Sequence, residues 1–205
     1  MKKINLLGYS GHSYVVTDTI KANNDIINGY FGLEKDKNPF GIPYLGNEKM
    51  MSEFSNTEDL YYFPSVGDNQ IRKSMIHFIE ENKLEQTTII HPTASISAHC
   101  IIEKSVFIGS NAIINILSHI GKGVIVNTGA IVEHECIIGN YCHIAPSTVL
   151  TGNVSVGENS FIGANSVVIP NIKIGSNVIV GAGSVVVSDI PDNETWVGNP
   201  ARKIK

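Results

Sequence analysis

From Ile90 to Val186 every sixth residue is a branched aliphatic, beginning Ile90, Ile96, Ile102, Ile108 and ending Ile174, Val180, Val186, with no insertion. The residue four places after each is small or β-branched, as in Ala94, Cys100, Val106, Ala112 and Ser118. A helix would repeat at 3.6 and a flat strand at 2, whereas a repeat of six predicts short strands joined by turns and wound into a parallel β-solenoid. Three hexads per coil put residues 18 apart on neighbouring rungs. Each buried aliphatic contributes roughly 1.5 to 3 kcal/mol before entropy, so the column can hold the coil together. Gly109, Gly121, Gly139, Gly157, Gly163, Gly175 and Gly181 fall one place after the aliphatic, where corners are expected to require backbone angles open to glycine.

Residues 1–85 follow another pattern. Ile4 to Leu7 reads as a strand, Val15, Val16, Thr19 and Ile20 as helical, and Ile26 to Phe31 and Leu60 to Val66 as further strands. Asp68 is placed to cap a helix with Ile71, Met75, Ile76 and Ile79 on its apolar side. Strands alternating with helices predict a small Rossmann-like parallel α/β domain, so the expected fold is α/β plus β-solenoid, divided into residues 1–85 and 86–205. Phe40 to Gly46 reads as a connecting turn.

Both strand-to-helix junctions of the first domain carry glycine: Gly8-Tyr9-Ser10-Gly11-His12 and Val66-Gly67-Asp68. Backbone amides at a helix N-terminus can meet a phosphate, and in a parallel sheet the two turns share the carboxyl edge. Either turn alone reads equally well as plain connection; together they favour a nucleotide pocket.

A net charge of -4 provides no basic field for nucleic acid or an anionic membrane. No apolar run approaches the roughly 20 residues needed to span a bilayer, and the first residues lack a secretory pattern, so a cytoplasmic protein is expected. Cys100, Cys136 and Cys142 occupy inward small positions of their hexads and read as structural. No metal site is expected.

His134 stands at the third position of Val132-Glu133-His134-Glu135-Cys136-Ile137, outside the buried column and between two carboxylates. These residues alone admit either a solvated surface histidine or a general base supported by an acid.

GYSGH, GIPYLG, VGDNQIRK, the hexads, VEHE and the final VGNPAR together resemble the bacterial hexapeptide-repeat N-acetyltransferases of nucleotide-linked 4-amino-4,6-dideoxy sugars, related to sialic acid O-acetyltransferases. The resemblance implies a left-handed β-helix, a homotrimer, and acetyl-coenzyme A (acetyl-CoA) as co-substrate, with His134 as base and Glu135 raising its basicity. Gly152 lies 18 residues after His134 and is expected on the next rung, where it leaves room for the thioester and offers its amide to the oxyanion. Ala164 and Ala182 share a column that could floor a groove for pantetheine; by resemblance their main chains contact the cofactor, and His143 is its second histidine contact. Asn127 is expected to orient substrate.

Ser10, Gly11, His12 and Gly67 match the stretches that meet the nucleotide sugar. The paired aspartates of the family's second strand are missing, with Leu33 and Glu34 in their region and Asp36 nearby, so UDP is preferred and GDP stays open. Arg202 and Lys203 read either as contacts to coenzyme A phosphates or as a solvated basic tail. The competing readings are O-acetylation of a sialic acid or other sugar, and a non-catalytic scaffold that binds sugar nucleotides.

Overall fold

The computed structural model describes residues 1–35, 38–47 and 59–205; Asp36 lies outside them. The N-terminal domain runs β1 (Lys3–Leu7), α1 (Gly11–Ala22), β2 (Ile26–Phe31), β3 (Tyr44–Gly46), β4 (Leu60–Pro64) and α2 (Asn69–Glu81). Its sheet has the order β3-β2-β1-β4 with all neighbours parallel, so the turns after β1, β2 and β4 meet at one edge. Strand β3 falls where the sequence predicts a turn, because three residues are too few to display a period of two. Asp68 caps α2 as expected, accepting from the Ile71 amide at 2.9 Å. The buried stripe of α2 differs from expectation: Arg72, Ile76 and Ile79 are buried, while Ile71 is half exposed.

After β4 the chain pairs Glu85 and Thr87 with Tyr62 and enters the solenoid at Ile89. Two-residue strands stack into three parallel sheets. The first face carries Ile89–Ile90 and its successors at intervals of 18, the second begins with Ser95–Ile96, and the third with Ile101–Ile102. The second residue of each strand points inward, and the column from Val106 to Ile190 forms one continuous core.

Outward residues on the first face set the position of the N-terminal domain. Ile89, Phe107 and Ile125 are buried in a cluster with Val16, Ile20 and Tyr30, so α1 and the sheet are seated on this face. The next outward residues are His143, Phe161 and Ile179, increasingly exposed past the edge of the domain. That edge is where a cleft opens.

The corner glycines correct the sequence reading. Positive φ occurs two places later, at Asn111, Gly123, Gly129, Glu135, Asn153 and their equivalents, and not at Gly109, Gly139 or Gly163. Those glycines are required by close approach between rungs. A Cβ on Gly109 would lie 2.7 Å from the Thr128 nitrogen, and one on Gly163 would lie 2.5 Å from the Ala182 nitrogen. Asparagine fills many of the left-handed positions, and its amides join successive rungs, as in Asn153 to Asn171 at 2.9 Å.

Candidate active site

His134 sits on the corner between the second and third faces, since strands Ile131–Val132 and Ile137–Ile138 flank it. Its Nδ1 is 3.0 Å from Glu135 Oε2, and both side chains are more than half exposed, at 53% and 57%. The carboxylate accepts from Nδ1–H, which leaves the lone pair on Nε2. Glu135 holds this geometry from a left-handed backbone, φ 61°, in a column that also carries Leu117, Asn153 and Asn171.

Gly152 lies on the rung below, as its spacing predicts, but the space it leaves is filled by the histidine itself. A Cβ on Gly152 would stand 2.4 Å from His134 Cε1 and 2.5 Å from Nε2. The glycine therefore seats the imidazole, correcting the expectation that it leaves room for the thioester. Gly152 is itself buried, and its amide donates to no group among the described residues.

A second group of residues gathers where the N-terminal domain meets the solenoid. The Thr128 amide donates to Asn127 Oδ1 at 2.8 Å, which orients the Asn127 amide toward His143 Nε2 at 3.1 Å. His143 Nδ1 in turn faces the Gly67 carbonyl at 3.2 Å. The two partners specify a neutral ring protonated on Nδ1, and burial, reinforced by the Arg72 charge, lowers its pKa to about 4. Asn127 thus fixes His143, a role its spacing alone did not reveal. His12 packs edge-on against Phe107, and its ring centroid is 6.3 Å from that of His143. Its buried Nε2 has no hydrogen-bond partner among the described residues, and burial, then His143 and Arg72, depress its pKa to about 3.

Two clefts open on either side of the Val66–Ile71 turn. One, of about 280 Å³, lies at the carboxyl edge of the sheet and includes Tyr9, Ser10, Leu33, Glu34, Ile71 and Met75. The other, of about 600 Å³, is lined by Gly67, Asn69, His143 and Asn159, with Phe161 and Ile179 in its floor. Ser10 and Glu34 therefore share one cleft, and Gly67 and His143 the other. Gly11 stands in the first turn of α1 beside the first cleft.

Arg72, to which the sequence analysis gave no role beyond its place in the VGDNQIRK motif, is only 1% exposed. It lies four and seven residues before Ile76 and Ile79, so the helical period places it in the buried stripe. Among the described residues no group of three or more His, Cys, Asp and Glu could hold a metal ion.

Ala164 and Ala182 stack on the corner between the first and second faces, joined by the Gly183 amide donating to the Ala164 carbonyl at 2.8 Å. Ala164 is partly exposed and Ala182 exposed, so this corner carries only small side chains at the surface. Lys203 is paired with Glu194 at 2.6 Å, and Arg202 is exposed.

The candidate residues therefore divide between two corners. Asn127, Ala164 and Ala182 lie on one edge of the second face, His134 and Gly152 on the other, and the intervening strand can extend up to about 20 Å.

The chain matches the family described as PglD N-terminal domain over residues 3–79, bacterial transferase hexapeptide (six repeats) over 118–152 and 153–188, and hexapeptide repeat of succinyl-transferase over 100–133. A UDP-N-acetylbacillosamine N-acetyltransferase from Bacillus subtilis is 37% identical over 117 residues, 56% of this chain. That match spans about half, 51%, of the curated relative's length. PerB from Caulobacter crescentus, solved with CoA and GDP-perosamine, is 32% identical and superposes with a TM-score of 0.95 over 100% of this chain and 98% of its own. The acetyltransferase domain of PglB from Neisseria gonorrhoeae, solved with acetyl coenzyme A, is 31% identical with a TM-score of 0.94, covering 99% of each chain.

Proposed function

The chain belongs to the hexapeptide-repeat sugar N-acetyltransferases that carry a PglD-type N-terminal domain, and from that premise we propose that it moves acetyl from acetyl-CoA to the 4-amino group of a nucleotide-linked 4-amino-4,6-dideoxy sugar. The observation that carries this reading is the exposed His134 imidazole, seated over Gly152 and held through Nδ1 by Glu135 with Nε2 free.

The acceptor nitrogen attacks the thioester carbonyl as the neutral amine. Forming the C–N bond would leave an extra proton on nitrogen, and His134 Nε2 takes it; Glu135 stabilises the imidazolium. The Gly152 amide donates to the oxygen on which charge develops. When the C–S bond breaks, the imidazolium returns its proton to the departing thiolate, giving the amide and free coenzyme A. No acyl-enzyme is needed.

Residues 1–85 form the nucleotide-sugar-binding part, with Ser10, Gly11 and Gly67 offering main-chain groups and Glu34 in the turn after β2. The His12 ring is turned into the domain junction, so its share in binding falls to its amide in the first turn of α1. Residues 86–205 carry the transfer chemistry, with His143, Gly152, Ala164 and Ala182 along the path of acetyl-CoA. The protein works in the cytoplasm, where acetyl-CoA is supplied. The enzyme is a homotrimer, because residues on opposite edges of the second face need a neighbouring chain to meet. UDP is the favoured nucleotide; the full-length likeness to an enzyme solved with GDP-perosamine supports GDP as the second reading.

Incubation with acetyl-CoA and UDP- or GDP-linked 4-amino-4,6-dideoxy sugars, followed by release of free thiol, should give saturable turnover with one of the two. Turnover only with sugar hydroxyl acceptors would move the assignment to O-acetylation. Failure with every acceptor, with no saturable coenzyme A binding, would leave a scaffold.

A further inference from the structure

We infer that Arg72 is a positioning residue for the acetyl transfer: it locks the Gly67 turn of the nucleotide-binding domain onto two rungs of the solenoid and so aligns a nucleotide-linked acceptor for reaction. The inference rests on the function proposed above and adds to it the device that sets one domain in register with the other.

Arg72 stands in the first turn of α2 and is fully buried. Its Nε donates to the Gly123 carbonyl at 2.7 Å, and Nη2 to the Tyr141 and Cys142 carbonyls at 2.8 and 3.2 Å, all three on the solenoid. On its own domain, Nη1 donates to the carbonyls of Val66 and Gly67 at 3.3 and 2.9 Å, and Nη2 to Asn69 Oδ1 at 2.8 Å. Gly123 and Tyr141 are 18 residues apart, so the fork spans two neighbouring rungs and fixes height as well as rotation. The planar guanidinium supplies the five N–H donors in fixed directions that this arrangement uses; an ammonium has three and cannot reproduce it.

Among the described residues, every hydrogen-bond partner of this buried cation is a neutral oxygen. It forms no salt bridge with a carboxylate among the described residues, and burial pulls its pKa down to about 10 against the weaker opposing pull of Cys142 and Asp68. A buried charge hydrogen-bonded only to carbonyl oxygens is an expensive way to join two domains that already share an apolar contact through Phe107 and Ile125. What it adds is directionality. The Gly67 carbonyl receives both Arg72 and His143, so the turn dividing the two clefts is fixed from α2 and from the solenoid at once. The nucleotide end of the acceptor, held at the sheet edge, then places its sugar end at a defined height on the coil. Binding energy from the nucleotide is converted into alignment at the reacting nitrogen.

The deciding experiment compares wild type with Arg72→Lys on two acceptors, the nucleotide-linked amino sugar and the same amino sugar as its 1-phosphate, together with the Kd for acetyl-CoA. The preference for the nucleotide-linked acceptor in kcat/KM should fall by about tenfold or more, with the Kd for acetyl-CoA within about twofold of wild type. An equal loss on both acceptors, or unchanged kinetics, would overturn the inference. If Arg72→Lys does not fold, Asn69→Ala removes one partner of the fork, and the same preference should drop by a smaller factor of about three; an unaltered ratio there again rejects it. Should wild type acetylate no amino sugar, the proposed function fails separately. Titration of Arg72→Lys with UDP and GDP then decides the inference: affinity weakened by about threefold or more upholds it, and affinity equal to wild type rejects it.

Discussion

At the scale of single residues, the His134 and Gly152 pair is the sharpest object in the molecule, because its two members explain each other. The imidazole lies where a side chain at 152 would be, and the backbone at 152 is not in the left-handed region, so alanine fits the chain and clashes only with the ring. Gly152→Ala is therefore expected to lower kcat by at least about tenfold by displacing the base, while thermal melting stays within a few degrees of wild type. His134→Ala should remove about 10² to 10⁴ in kcat, the usual contribution of a general base. A His134→Ala enzyme within tenfold of wild type would dismiss the assignment. The stacking of 134 on 152 could be read from the spacing of 18, because a solenoid converts sequence distance directly into spatial contact. Arg72 could not be read so easily. Its charge signals a surface, and only its register with Ile76 and Ile79 indicates burial.

Elements show the same division between what a period fixes and what packing decides. The inward column and its strands follow from the repeat, but the corner chemistry does not, because positive φ and close approach both favour glycine and occur two residues apart. Leu117 exposes the consequence: it is 63% exposed and holds φ 63° in the column that later carries Asn153 and Asn171. Leu117→Asn should raise stability by about 1 kcal/mol in chemical denaturation, since asparagine tolerates this conformation better than leucine. Helix α1 meets the solenoid through a histidine pair that titrates differently once docked. His12 and His143 have pKa values near 3 and 4 when folded, below the ordinary 6.5, so the unfolded chain binds protons that the folded one refuses. Docking is at full strength above about pH 6.5 and weakens as pH falls toward 4. Amide exchange along α1 and β1, corrected for intrinsic rate, should therefore quicken between pH 7 and 5 while core amides such as those of Ile144 and Ile162 do not. His12→Phe should flatten the response.

For the molecule as a whole, the question is how residues on opposite corners of one prism come to act together. The first and second faces meet at Asn127, Ala164 and Ala182, and the second and third at His134, with a full strand between. The second face itself presents Ile113, Ile131, Val149, Val167 and Val185 outward in a stripe, each at least partly exposed. An apolar stripe on a rigid face suits association with a second copy, and cyclic packing of three such prisms would carry His134 of one chain toward Ala164 and Ala182 of the next. Val167→Glu should break the assembly, seen as monomer mass in light scattering, and abolish turnover in the same sample. The shared site can be tested more directly by mixing two inactive chains, one His134→Ala and the other Ser10→Tyr, which blocks the nucleotide cleft. If the base and the nucleotide pocket come from different chains, random re-association in equal amounts restores about one quarter of wild-type activity, because one pairing in four brings an intact pocket beside an intact histidine. If one chain supplied both, every site would keep a defect and no activity would return.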